Sequence, residues 1–214
     1  MLCLLAWGFA EHAWRLGADG LAGRVEGSRL VHRDRPLATA AVFSHMLAGA
    51  ALSVLAPLQL IGAVRRRWPA AHRWTGRATA PLALFCAAAG GVYILSAGTV
   101  GGLWMDLGFG TYGAFLGLSA VRAWQAARAR RFAQHREWAL RLVVLALGSW
   151  LYRVHYGLWE LATGGLGRAD DFTGAFDRVQ VWAFFLPYLA ALEWRFRRER
   201  RRGRAAAAGS ERQA

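Results

Sequence analysis

The stretch LATAAVFSHMLAGAALSVLAPLQLIGAV, residues 37–64, decides the fold class of this protein. It carries no acid, lysine or arginine, and Pro57 near its end predicts a kink. A helix needs about 20 mostly apolar residues to cross a hydrocarbon core about 30 Å thick. The next residues, RRRWPAAHRWTGR at positions 65–77, hold five arginines and no acid. The sequence therefore predicts a transmembrane helix that ends at a basic connection.

The composition of the whole chain agrees with a lipid environment. Of its 214 residues, 56% are hydrophobic and 19% are charged, and the mean hydropathy is +0.22. A soluble globule of this size has too little interior to bury so much apolar surface. The two cysteines, Cys3 and Cys86, lack the spacing of zinc ligands, and the chain holds no HExxH, CxxC, GxSxG or nucleotide-binding loop. Hydrolase and ATP-driven mechanisms therefore lack their usual residues.

Further apolar stretches predict the rest of the bundle. They lie at residues 78–97, 107–127, 142–161 and 179–194. The last is the shortest, and Pro187 predicts a kink in it. Residues 1–16 indicate a short or truncated first helix, with a connecting segment up to residue 36. We expect an all-α, polytopic transmembrane helical bundle of five or six helices over residues 37–195, followed by a basic, disordered tail over residues 196–214.

The arginines alternate between the two sides of the expected bundle. Residues 65–77, residues 122–141 and the tail are strongly basic, whereas residues 98–108 and 160–178 have more acids than arginines. The positive-inside rule then places the basic connections and the C-terminus on the cytoplasmic side. These clusters favour contact with the bilayer and with anionic lipid head groups at that face. Because they lie at helix ends and form no nucleic-acid-binding motif, nucleic acid is not an expected partner.

Two of the basic connections resemble each other. Each has a histidine, an arginine and a tryptophan before the next helix, in the sets His72, Arg73, Trp74, Arg77 and His135, Arg136, Trp138, Arg141. An aromatic belt with positive-inside charge explains the tryptophans and arginines, but not why histidine recurs. The other interpretation is an anion or cofactor site, in which arginine binds a carboxylate or phosphate and histidine binds a metal or a proton.

A second polar group lies deeper in the expected bundle. At 1.5 Å per residue, His45 and His155 lie at similar depths below the outer surface. Arg153 lies near mid-membrane, where a lipid-facing guanidinium costs roughly 3 kcal/mol or more, so we expect it to face a carboxylate, a carbonyl or water inside the bundle. Glu160 and Glu193 are the candidate acids. An internally satisfied contact between helices is the alternative. The full set of candidate anion or buried polar residues is Gln59, Arg73, Arg77, Arg136, Arg141, Arg153 and Glu193.

The combination of these residues resembles a known family. The order His45, the run LAPLQ at residues 55–59, the arginines and His72 of the first basic connection, and later His135 and Arg153 is similar to the domain-of-unknown-function family 2306 of predicted bacterial membrane proteins. The resemblance covers roughly residues 43–195. Ala56 stands where the family usually has glycine, and His155 is not a position of the family pattern. The resemblance implies a multi-pass protein of the bacterial plasma (inner) membrane and no particular activity.

A looser likeness concerns the histidines. Transmembrane cytochromes b that are reduced by ascorbate place histidines on facing helices as haem ligands, with arginines for the propionates. By that likeness His45 with His155, and His72 with His135, would bind haem b, although the third helix lacks the histidine of that pattern. Two hypotheses follow: a buried histidine and arginine site that binds a small anion or relays protons, or a bis-histidine haem electron carrier. Neither an enzyme activity nor an oligomeric state follows from the sequence.

Overall fold

A computed structural model of the chain describes residues 2–25 and 27–211, and the side chains of residues 6–25 and 27–203. This part is helical, with no strand. Its nine helices are α1 (Leu2–Leu21), α2 (Pro36–Leu58), α3 (Gly62–Arg67), α4 (Pro69–Ala97), α5 (Gly102–Arg128), α6 (Phe132–Ala146), α7 (Gly148–Thr163), α8 (Ala175–Ala183) and α9 (Leu186–Glu211). The predicted all-α class is confirmed.

The first helix is longer than the 1–16 segment expected from the sequence, because α1 runs to Leu21. It packs along α2, and two glycines permit the close approach. A Cβ on Gly20 would lie 2.1 Å from Cδ1 of Phe43, and one on Gly17 would lie 2.9 Å from the Phe43 carbonyl oxygen. Glu11 and Arg15 are charged residues within this otherwise apolar segment. They lie one turn apart on α1 and form an exposed ion pair. Met1 lies outside the described residues.

Two helices of the described part, α2 and α4, are by themselves long and apolar enough to cross a membrane. The stretch at residues 37–64 is not one helix, because α2 ends one residue after Pro57 and the short α3 follows a turn. Helix α4 starts nine residues before the predicted position 78, with Pro69 at its first position, where a missing N–H costs nothing. His72, Arg73 and Trp74 are therefore already helical.

The apolar stretch at residues 142–161 is also divided, since α6 ends at Ala146 and α7 begins at Gly148. The Tyr112 ring of α5 lies against Gly148, where an added Cβ would be 2.7 Å from Cε2 of that ring. The Tyr112 hydroxyl donates to the Leu145 carbonyl, and the Ser53 hydroxyl of α2 lies 3.4 Å from the Ala146 carbonyl. Side chains that bond to helix carbonyls in this way interrupt a helix.

The C-terminal stretch at residues 179–194 is interrupted before Pro187 and not at it. Helix α8 ends at Ala183, the buried residues Phe184 and Phe185 follow, and Pro187 is the second residue of α9, where its missing N–H is not needed. Helix α9 then continues through Glu211, into the tail that the sequence predicts to be disordered. Arginine and alanine, which dominate this segment, are strong helix formers. Residues 212–214 lie outside the described part.

The interior is formed by the helices that follow one another in the chain. Helix α2 packs against α1 and α4, and α5 packs against α4 and α6. Phe184, Phe185 and Tyr112 form a buried aromatic cluster next to Leu116 and Leu145. Many large apolar side chains are exposed, among them Leu95, Leu103 and Leu161. An exterior of this kind fits lipid as the surrounding solvent.

Candidate functional site

A cavity of about 100 Å³ lies between α1, α2, α4, α5 and the α6–α7 break. Apolar residues form much of its wall, and its polar side chains are His45, Ser53, Cys86, Tyr112, Ser149 and Arg153. Cavities of about 150 Å³ hold a molecule the size of benzene, and a single water needs only a small fraction of that volume. The cavity therefore has room for a few waters or one small anion.

His45 is fixed in one tautomer at this cavity. Its Nδ1 lies 2.8 Å from the Cys86 carbonyl oxygen of α4, and a carbonyl can only accept, so Nδ1 carries the hydrogen. Gly90 makes room for the ring, because a Cβ there would lie 3.1 Å from Nδ1. In the neutral ring Nε2 therefore carries the lone pair. The cavity thus has a basic imidazole nitrogen in its wall.

Arg153 lines the same cavity, and part of its side chain is exposed. Its Nη1 donates to the Ser149 carbonyl at 3.1 Å, and its guanidinium carbon lies 4.8 Å from the centre of the Phe9 ring. The Ser149 carbonyl lies one turn earlier on the same helix, α7, so it is not a partner from across the bundle. The two candidate acids are used elsewhere, since Glu160 pairs with Arg168 and Glu193 pairs with Arg141. Most of the five N–H groups of Arg153 are thus available to a ligand.

His155 does not share this cavity. Its Nδ1 lies 3.2 Å from Oε1 of Gln180, and its Nε2 lies 2.7 Å from the Tyr188 hydroxyl. Both ring nitrogens are occupied, and the three side chains join α7, α8 and α9. A bis-histidine haem would need a free nitrogen on each imidazole. The volume of the cavity at His45 is also well below the roughly 300–1,000 Å³ of pockets that enclose drug-sized ligands. The geometry therefore offers no support for pairing His45 with His155.

Asp177 forms a polar centre that the sequence did not indicate. It is buried, and it accepts hydrogen bonds from the Tyr156 hydroxyl at 2.5 Å, from the Ala169 N–H at 2.8 Å and from the Gly174 N–H at 3.1 Å. These bonds cap α8 and fix the connection between α7 and α8. Because Gly174 has no side chain, the spacing from Gly174 to Asp177 supplies only one half of a capping box and is no recognisable signal in the sequence.

The two similar connections share one contact between an arginine and a tryptophan. Arg77 lies over the Trp74 ring at 5.0 Å, and Arg141 lies over the Trp138 ring at 4.5 Å. The His72 ring lies near the His135 ring and near Arg65 and Arg73. In the first connection, Gln59 donates from Nε2 to the hydroxyl of Thr75 at 2.6 Å, and Thr75 lies one turn after His72. In the second connection, Nδ1 of His135 lies 2.9 Å from the Ala123 carbonyl oxygen.

Three of the remaining candidates join α6 to α9. Arg141 contacts Glu193 at 2.5 Å and lies 4.9 Å from the centre of the buried Phe196 ring. One turn closer to the start of α6, Arg136 pairs with Glu199 at 3.1 Å. Hydrogen bonds from Arg195, and then from Arg136, hold the pKa of the exposed Glu199 carboxyl below its usual value. Arg136, Arg141 and Glu193 therefore form interhelical ion pairs and do not line the cavity.

Comparison with known proteins identifies one family whose sequence model matches this chain. A family model described as predicted membrane protein (DUF2306) matches residues 42–193. The match begins in α2, ends in α9 and includes His45, Arg153 and both arginine-rich connections. No curated protein and no solved structure matches the chain.

Proposed function

Because this chain belongs to the DUF2306 family of predicted membrane proteins, we propose a function that operates inside a bilayer: the cavity between His45 and Arg153 binds a small anion together with a proton. The family match confirms the resemblance inferred from the sequence. The family description names no ligand, so the residues of the cavity are the basis for proposing one. The observation that carries the proposal is the bond from His45 Nδ1 to the Cys86 carbonyl, because it leaves Nε2 as a base in the same cavity wall as a guanidinium.

The chemistry of the two side chains is complementary. Arg153 keeps its charge at every physiological pH and supplies N–H donors to an anion. Neutral His45 presents a lone pair, which repels an anion, whereas protonated His45 presents an N–H donor. An anion in the cavity therefore favours the protonated ring. The other titratable groups in the wall, Cys86 and Tyr112, are neutral in their ordinary protonation state at neutral pH.

The position of Arg153 also favours an anionic ligand. A guanidinium deep in a bilayer costs roughly 3 kcal/mol or more without a partner, and no carboxylate in the described part lies within ion-pair distance of it. The contact with Phe9 and the Ser149 carbonyl satisfies it only in part. A monovalent anion of a few heavy atoms, such as chloride, nitrate or formate, fits the cavity volume and neutralises this charge.

Calorimetric titration of the detergent-purified protein with formate, chloride and nitrate tests the proposal. We expect at least one of these anions to bind, and to bind more tightly at about pH 5.5 than at about pH 8, because an anion in the cavity favours the protonated His45 ring. Arg153→Gln is expected to weaken binding at both pH values by tenfold or more. His45→Gln is expected to remove the pH dependence, since glutamine does not titrate there.

The chain offers matched controls for both variants. Arg77→Gln removes a guanidinium that also lies over an aromatic ring, and His135→Gln removes an imidazole whose Nδ1 also bonds to a main-chain carbonyl. Neither residue lines the cavity, so anion affinity should stay within twofold of the wild type. The proposed function is wrong if none of these anions binds to the wild type. It is also wrong if Arg153→Gln binds the anion as tightly as the wild type does.

We further propose that the protein lies in the bacterial plasma membrane with α9 ending in the cytoplasm. The support is the alternation of arginine-rich and acidic connections, which the positive-inside rule connects with orientation. A reporter fused after Arg204 should show cytoplasmic exposure, and one inserted near Gly101 should show the opposite side. Exposure of both reporters on one side would contradict this orientation.

A further inference from the structure

Helix α9 has two different faces beyond its membrane segment. At about 100° per residue, Glu193, Phe196 and Arg200 lie on one side of the helix. Each contacts α6: Glu193 pairs with Arg141, Phe196 is buried next to the same guanidinium, and Arg200 donates to Glu137 at 2.7 Å and 2.8 Å. This side is therefore occupied, and it fixes the rotation of α9 about its own axis.

The other side of α9 carries Trp194, Arg197, Arg198 and Arg201, which fall within an arc of about 100°. Trp194 is 61% exposed, and Arg198 lies over its ring at 4.6 Å. The three arginines are exposed and form no ion pair with any residue whose side chain the structure describes. We call these four residues the outer face of α9. It holds three positive charges, a tryptophan and no acid.

We propose that the outer face of α9 binds the anionic head groups of lipids in the cytoplasmic leaflet. This inference rests on the orientation proposed above, in which α9 leaves the membrane on the cytoplasmic side. Tryptophan marks the membrane interface in helical membrane proteins. Arg197 and Arg198 lie about 4.5 Å and 6 Å farther along the helix, within a head-group layer of about 5–8 Å. Arg201 reaches the same layer by bending its long side chain back.

The outer-face arginines differ from Arg195 and Arg200, two other arginines of the same segment. Arg195 and Arg200 are held by Glu199 and Glu137, so part of their charge is already neutralised inside the protein. The ion pairs with α6 keep the outer face turned away from the bundle, and its arginines are therefore arranged before lipid arrives. Each guanidinium near an anionic surface contributes about fivefold in affinity.

The experiment compares two double variants of the full-length protein with the same loss of charge. Arg197→Gln/Arg201→Gln changes the outer face, and Arg195→Gln/Arg200→Gln changes the residues held by Glu199 and Glu137. Each protein is reconstituted in phosphatidylcholine nanodiscs, and spin-labelled phosphatidylglycerol and phosphatidylcholine report the relative association of the two lipids with the protein. Thermal unfolding in phosphatidylcholine alone is the second measurement.

The outer-face variant is expected to lose at least fivefold in preference for phosphatidylglycerol, with unchanged thermal unfolding in phosphatidylcholine. The Arg195→Gln/Arg200→Gln variant is expected to unfold at a lower temperature and to keep most of the preference for phosphatidylglycerol. Equal loss of lipid preference in both variants, or none in the outer-face variant, would overturn the proposal. Nanodiscs expose both leaflets to the same lipid, so this result does not depend on which way the chain inserts, and the reporter fusions test orientation separately.

Discussion

Replacement of Asp177 by alanine is expected to lower the free energy of unfolding by about 3–5 kcal/mol. The substitution leaves the Tyr156 hydroxyl and the N–H groups of Ala169 and Gly174 without their acceptor. The three donors are partly buried, and a fully buried donor left unpaired costs about 1–3 kcal/mol. The connection between α7 and α8 also loses its anchor. Reversible unfolding in mixed detergent micelles gives the change in free energy.

Asp171→Ala is the matched control, because it removes an aspartate from the same connection. Asp171 is exposed and accepts only from Thr173, through its N–H and its hydroxyl. These bonds keep the pKa of Asp171 below its usual value, so their stabilising effect is present at neutral pH and is lost as the pH falls through that lowered pKa. At neutral pH we expect only a small change. A similar loss of stability in both variants would show that Asp177 is not the anchor.

Gly148→Ala is expected to destabilise the protein by about 1–3 kcal/mol and to abolish anion binding. The added Cβ would lie 2.7 Å from Cε2 and 2.8 Å from the hydroxyl oxygen of Tyr112, and both distances are far below van der Waals contact. The Tyr112 ring must therefore move. Because this ring forms part of the cavity wall, the shape of the cavity changes as well. Unfolding in mixed micelles and calorimetric anion titration measure the two effects.

Gly157→Ala on the same helix is the control. Nothing lies within 4 Å of a Cβ at Gly157, so this variant should gain up to about 1 kcal/mol from helix propensity and keep anion binding. A double variant, Gly148→Ala with Tyr112→Leu, removes the ring that the new methyl group meets. Its loss of stability should be smaller than the sum of the two single losses. Additive losses would mean that the close approach of Tyr112 does not limit this position.

The fold class followed from hydropathy, but the interruptions of the helices did not. Pro57 and Pro187 were expected to bend helices, yet α2 ends just after the first and α9 begins just before the second. The break at Leu147 depends on Tyr112, which is 35 positions away in the chain, and Gly148 by itself is a weak signal. Long-range packing of this kind leaves no local pattern.

The candidate site was predicted in part for a similar reason. His45 and Arg153 were recognised because polar residues are costly in an apolar stretch, and they line one cavity. The tautomer of His45 depends on a carbonyl of α4, and the partner of Glu193 lies on α6, so neither was available from spacing. Asp177 was counted only as charge in an outer connection. A capping aspartate and a solvated one look alike in sequence.

The contacts between helices suggest an order of assembly during synthesis. Helices that are neighbours along the chain make most of these contacts, and such pairs form with little loss of loop entropy as they emerge. The cavity, by contrast, takes side chains from α1, α2, α4, α5, α6 and α7. It exists only after α7 has joined the earlier hairpins. An anion bound as proposed would therefore stabilise the docking of α7, and chains stalled before that step would lack the site.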